Sequence, residues 1–186
     1  MSGKQDKSLY FVALVPPEPF FSEVQKIKHE LSSNYRTKAS LKSPPHITLH
    51  MPFSYPESAE DRIFSALHRV HFGKFPIVQN GFGAFAPRVI YIRVESSSQL
   101  STLHESVMKS IRSELKIAKD SYRNEGFKPH MTVAFRDLRP AMFKQAWEAM
   151  KDAHVSCTWE ACSFFLLKHN GKEWGLLKEF GDSLIE

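Results

Sequence analysis

The chain has 186 residues, 42% of them hydrophobic and 12% aromatic, which is enough for one substantial core and excludes disordered and fibrous classes. A formal charge of +5 and a pI near 9.2 suit a partner that carries phosphate, although surplus lysine also serves solubility. The longest apolar runs, residues 9–15 and 164–167, fall far short of the roughly 20 residues that a spanning helix needs.

Residues 1–8 carry lysines and polar side chains, without the apolar stretch and small-residue cleavage site of a secretory signal. A cytoplasmic protein is therefore expected. Cys157 and Cys162 are the only cysteines. Their odd separation within one expected strand puts them on opposite faces, so two buried thiols are expected rather than a disulfide.

Residues 9–15, aromatic and branched and closed by Pro16-Pro17, read as a buried strand. Phe20, Phe21, Val24, Ile27 and Leu31 then recur at helical spacing, with Pro17 or Pro19 in the first turn. Residues 34–45 are polar, basic and proline-terminated and predict a loop, with Arg36, Lys38 and Lys42 as cations that can face phosphate, leading to a strand at 46–53. Ile63, Phe64, Leu67 and Val70 mark a short helix, and residues 75–85 and 89–94 a hairpin around Ala86-Pro87-Arg88.

Ser97 or Ser98 caps a long helix with a stripe of Leu100, Leu103, Val107, Ile111 and Leu115. A strand at 130–135 follows a charged, irregular stretch. Asp137 is expected as the cap of a helix that has Pro140 in its first turn and Phe143, Ala146, Trp147 and Met150 on its buried face. Two late strands, about 154–167 and 172–180, flank the Asn170-Gly171 turn. Several strand pairs lack a helical crossover, so the expected class is α+β, with antiparallel sheets and helices outside.

One pattern occurs twice: Pro45-His46-Ile47-Thr48-Leu49 and Pro129-His130-Met131-Thr132-Val133. Random order of this composition gives only about 0.01 copies of Pro-His-x-Thr. On a strand, His46 and Thr48 share one face while Ile47 and Leu49 face a core, and the second copy behaves alike. Each copy thus offers an imidazole and a hydroxyl roughly 6 to 7 Å apart along the strand.

Two imidazoles suit phosphodiester chemistry near neutral pH, one accepting a proton while the other donates one. In-line displacement needs them on opposite sides of one phosphorus, and Thr48 and Thr132 would then donate to the non-bridging oxygens. Neither role requires a metal or other cofactor. His50 is expected on the face of His46 and Thr48, which raises a His-x-Thr-x-His metal site, but no nearby carboxylate or cysteine completes one. Arg88 and Lys128 are candidate phosphate-binding cations, each with a solvated reading beside it. Tyr35, Tyr122 and Phe127 precede the motifs and can either stack a base or cap the core. The remaining six histidines are assigned no role.

The paired motifs resemble those of the 2H phosphoesterases, in particular the 2′,5′-RNA ligase-like and cyclic phosphodiesterase members. The likeness extends to the opening strand at Tyr10 to Leu14, to Phe82-Gly-Ala-Phe85 with Arg88-Val-Ile-Tyr91, and to a closing strand near Phe164 to Lys168. It implies one domain, residues 1–186, of two pseudo-symmetric lobes whose sheets line a central cleft. It also implies substrates bearing 2′,3′-cyclic or 2′,5′-linked phosphate, His46 and His130 as acid and base in either order, and Thr48 and Thr132 as phosphate clamps. RNA ends or cyclic nucleotides are the expected partners of a monomer with no membrane or obligate protein contact. A non-catalytic nucleotide- or RNA-binding module in the same cleft is the alternative, and four intact His and Thr positions argue against it.

Overall fold

The computed structural model describes residues 6–117 and 126–181. In chain order it runs β1 (Lys7–Leu14), α1 (Phe20–Tyr35), β2 (Ile47–Pro56), α2 (Glu60–Leu67), β3 (Phe75–Phe85), β4 (Val89–Val94), α3 (Ser98–Leu115), β5 (His130–Ala134), α4 (Pro140–Met150), β6 (Ser156–Ala161), β7 (Phe164–His169) and β8 (Trp174–Phe180). Among the described residues no helix is long and apolar enough to cross a membrane.

The strands form two antiparallel sheets of four, ordered β2-β1-β7-β8 and β5-β4-β3-β6. This is the α+β arrangement that the strand pattern implies. The two strands that begin with or follow the motif histidines, β2 and β5, each lie at one edge of their sheet, and they approach one another where the sheets meet.

Helices cross between halves. α1, which leads into β2, packs with α4 against β5, whereas α3, which leads towards β5, packs with α2 against β2. Each motif strand is thus backed by the helix that precedes the other motif. One cluster containing Val24 and Leu31 of α1, Leu49 of β2, Val107 of α3, Met131 of β5 and Phe143 of α4 unites both halves. Burial of apolar surface contributes about 25 cal/mol per Å² and is the main force favouring the folded state, so a core shared by both sheets holds them as one body.

Several local expectations meet their structure here. Ser97 is the α3 cap, its Oγ accepting from Leu100 N at 3.1 Å. All five residues of the α3 stripe are buried. Asn170-Gly171 turns the last hairpin, with Gly171 at φ +94° and Asn170 Oδ1 accepting from Lys172 N and Glu173 N.

Three expectations are corrected. The late strand expected at 154–167 is two strands: β6 pairs with β3, and β7 with β1, the chain changing sheets at Cys162-Ser163. Uniform strand-like composition carries no mark of which partner a strand takes, so the switch is invisible locally. Cys162 is consequently exposed at that crossing and Cys157 is half-buried, so the thiols are not two core residues. Asp137 does not cap α4, whose N-cap is Arg139. Its carboxylate faces the other half instead, accepting from Thr37 Oγ1 (2.8 Å), Lys38 N (2.8 Å) and Ala39 N (3.1 Å).

Candidate active site

His46 immediately precedes β2 and His130 opens β5. In both, ring Nδ1 sits against the backbone carbonyl two residues earlier: Pro44 O at 2.7 Å for His46, Lys128 O at 2.8 Å for His130. A carbonyl oxygen only accepts, so Nδ1 carries the hydrogen in each ring and Nε2 is the atom left to take or give a proton. The duplicated sequence thus repeats a tautomer as well as a position.

Thr48 pairs with Ala13 of β1 and Thr132 with Tyr91 of β4. Both threonines are half-buried. Ala13 belongs to a small apolar cluster with Phe11 and Leu167, against which Phe165 and Trp174 pack. That cluster is the face opposite the main core, and it carries Thr48 as well as His46, whose ring lies 4.8 Å from that of Phe11. Beyond Phe11 the aromatic row continues to Trp174 at 4.7 Å and on to His169 at 4.9 Å.

In the other half, His130 meets Phe85 and Tyr91, each at 5.2 Å between ring centres, and those two rings lie 4.5 Å apart. Tyr91 lies across Gly83, where a Cβ would come within 2.5 Å of its ring. Only glycine permits that approach. Arg93 pairs with His130 and shares its face, its guanidinium reaching over Gly81.

His50 does not join the histidine and threonine faces. Thr48 pairs with Ala13 but His50 pairs with Val12, so three residues of β2 oppose two of β1. The bulge turns His50 into the core, where it is 5% exposed and meets Phe53 edge-on. The His-x-Thr-x-His face therefore does not form.

The two catalytic candidates differ electrostatically. Burial pushes the His46 imidazole down to about 4, and the Lys28 ammonium behind it adds to the effect, while the Pro44 carbonyl opposes it and the charge of His130 pushes the same way. His130 is lowered too, by burial against the opposing pull of the Lys128 carbonyl. The strands that carry the two rings, β2 and β5, are in contact.

Arg88 lies exposed on the β3–β4 turn beside Phe85, and Lys128 is exposed at the approach to the second motif. Tyr35 ends α1 and packs on the main core. Phe127 also packs there and stacks on His104 at 3.9 Å and 8°, so that ring face covers protein. Tyr122 lies outside the described residues. The rings that border the two motif histidines are instead Phe11, Phe85 and Tyr91, with Trp174 packed against Phe11. Their alternation with buried neighbours was a usable signal, since Phe11 and Tyr91 fall on the strand faces opposite Val12 and Ile92.

Residues 16–173 match the model of the 2′-5′ RNA ligase superfamily. The chain belongs to that superfamily. An RNA 2′,3′-cyclic phosphodiesterase of Archaeoglobus fulgidus is 34% identical over 128 residues, covering 66% of this chain and 69% of the relative. A Geobacillus kaustophilus protein named as a candidate phosphoesterase is 28% identical over 177 residues, covering 92% and 94%; the match to a Geobacillus thermodenitrificans protein of like name spans only 62% of that protein. Among solved structures, Escherichia coli LigT complexed with 3′-AMP superposes with a TM-score of 0.68 at 17% identity, over 96% of this chain and 99% of LigT. This superfamily member has the two-sheet α+β fold of LigT and is related to phosphoesterases.

Proposed function

We propose that the protein is a metal-independent phosphoesterase acting on the 2′,3′-cyclic phosphate, or the 2′,5′-phosphodiester, of RNA ends or nucleotides. The observation that carries this reading is the repeated Nδ1-to-carbonyl tether, which leaves two Nε2 atoms, each with a threonine two residues on, at the meeting edge of the sheets. Two proton-transfer groups and two hydroxyl donors are the complement that in-line displacement at phosphorus uses.

In this reading His46, kept unprotonated by burial and by Lys28, is the base. Its Nε2 takes a proton from water, the water oxygen bonds to phosphorus, and the bond from phosphorus to the ribose 3′ oxygen breaks. His130 Nε2–H delivers a proton to that oxygen, leaving a 2′-phosphate. Thr48 and Thr132 donate to the non-bridging oxygens, and Arg88, Lys128 and Arg93 draw the anion in. Burial lowers His130, and a bound phosphate anion would favour its imidazolium. Attack by a ribose 5′-hydroxyl in place of water would give the 2′,5′ linkage with the same groups. Trp174, half-buried against Phe11, offers a face for the base, in keeping with the 3′-AMP that LigT is complexed with.

The test is incubation with 2′,3′-cyclic nucleotides in EDTA across pH. Turnover with a bell-shaped profile is the expected result. Binding without turnover marks a recognition module, and loss of turnover in chelator marks metal-dependent hydrolysis.

A further inference from the structure

Lys28 is 1% exposed and occupies the buried stripe of α1 with Phe20, Val24 and Leu31. A lysine there costs stability unless its ammonium is paired. Its two partners are carbonyls: Nζ donates to Ser40 O at 3.1 Å and to Ser43 O at 2.9 Å. Those oxygens belong to the segment leading into the first motif, which includes the short 3-10 turn Ala39–Lys42. Pro44, the next residue after Ser43, supplies the carbonyl that receives His46 Nδ1–H.

We propose that Lys28 is the positioning residue of His46: its ammonium clamps Ser40 and Ser43, sets the Pro44 carbonyl that orients the ring, and holds one positive charge behind the imidazole. This rests on the reading of His46 as a proton-transfer group and adds a residue to it. Leu, Met or Ile would fill the α1 stripe without the cost of a buried cation. The clamp and the charge are what a lysine adds.

Electrostatics agree with the geometry. The charged groups that act on His46 among the described residues are Lys28 from α1 and His130 from β5, and both lower it. Burial in turn lowers Lys28 to about 7. Since His46 titrates near 4, Lys28 is still charged when it does so, and the repulsion is present where it matters. Lys28 reaches His46 from a helix that packs against the second motif strand, so one residue couples the first histidine to the packing of the other half.

The experiment is NMR titration of the His46 ring in wild type, K28M, K28Q and K28R, with the resonance assigned through H46Q, together with pH–rate profiles. In K28M and K28Q the His46 midpoint should rise by about one pH unit, and the rate limb that belongs to His46 should rise with it. K28R, which keeps the charge, should stay near wild type. A folded K28M or K28Q with the wild-type midpoint and limb overturns the proposal. If neither neutral variant folds, wild type labelled with 15N at lysine Nζ decides: the Lys28 ammonium protons should be protected from solvent exchange and coupled to the Ser40 and Ser43 carbonyl carbons, and a freely exchanging ammonium without those couplings overturns the proposal. The ring titration is read without turnover, so it stands apart from failure of the phosphoesterase assignment, which wild type inactive on every cyclic phosphate would show.

Discussion

The two motif-bearing halves use one local device in two environments. In both, a proline precedes the histidine, Nδ1 donates to the carbonyl two residues back, and a threonine stands two residues on. Around His46 the protein places Phe11, a buried lysine and a loop pinned from the opposite half. Around His130 it places two mutually packed rings, Phe85 and Tyr91, the first 39% exposed at the rim. The contrast teaches that duplicated sequence can specify equal tautomers and still leave unequal proton affinities, because burial and neighbouring charge come from other parts of the chain.

The strongest way to break this comparison is to remove each ring. H46A and H130A should each lower kcat at least about a hundredfold while remaining folded; a variant that keeps its rate removes that residue from the chemistry. The difference between halves is sharper in the pH profile. In kcat/KM, activity should fall as pH drops through about 4, where His46 gains its proton, and fall again as pH rises through the lowered value of His130. In kcat the upper limb should lie at higher pH, since bound phosphate favours the imidazolium. An H46A variant that retains the lower limb reverses the role assignment.

A smaller effect is expected from the threonines. T48V and T132V should each cost about tenfold in kcat, measured with a cyclic nucleotide at saturation, if each hydroxyl meets a non-bridging oxygen. Unequal losses would show which half carries more of the developing charge.

Asp137 tests how the halves are joined. D137A leaves the Thr37 hydroxyl and two backbone N–H groups without their acceptor, and should lower stability by about 2 kcal/mol in denaturant unfolding. Burial pushes the Asp137 carboxyl up, but donation from Lys38, Thr37 and Ala39 outweighs it and holds the group below its ordinary value. Its contribution is therefore present above the normal carboxylate range and lost as pH falls through the folded value, so D137A and wild type should converge in acid. The smallest effect is W174A, which should raise KM several-fold for a cyclic nucleotide and leave kcat nearly unchanged, as loss of one stacked base would.

Much of the local architecture is legible along the chain. The α3 stripe, the Ser97 cap, the β3 and β4 spans and the Asn170-Gly171 turn follow from periodicity and turn chemistry that neighbouring residues settle among themselves. The paired Pro-His-x-Thr is legible for the same reason. Lys28 was legible only as an anomaly, a lysine at a stripe position between Val24 and Leu31, and its acceptors lie 12 and 15 residues away.

The sequence by itself determined most of the elements, the α+β class and the four motif side chains, because side-chain alternation and helical periodicity are short-range. Tertiary structure alone decided that β6 and β7 belong to different sheets, that a bulge turns His50 into the core, that Asp137 holds the opposite loop instead of capping α4, and that Lys28 stands behind His46. Each of these depends on which distant strand or helix becomes a neighbour, and that choice is made by burial of the shared core rather than by the residues alongside.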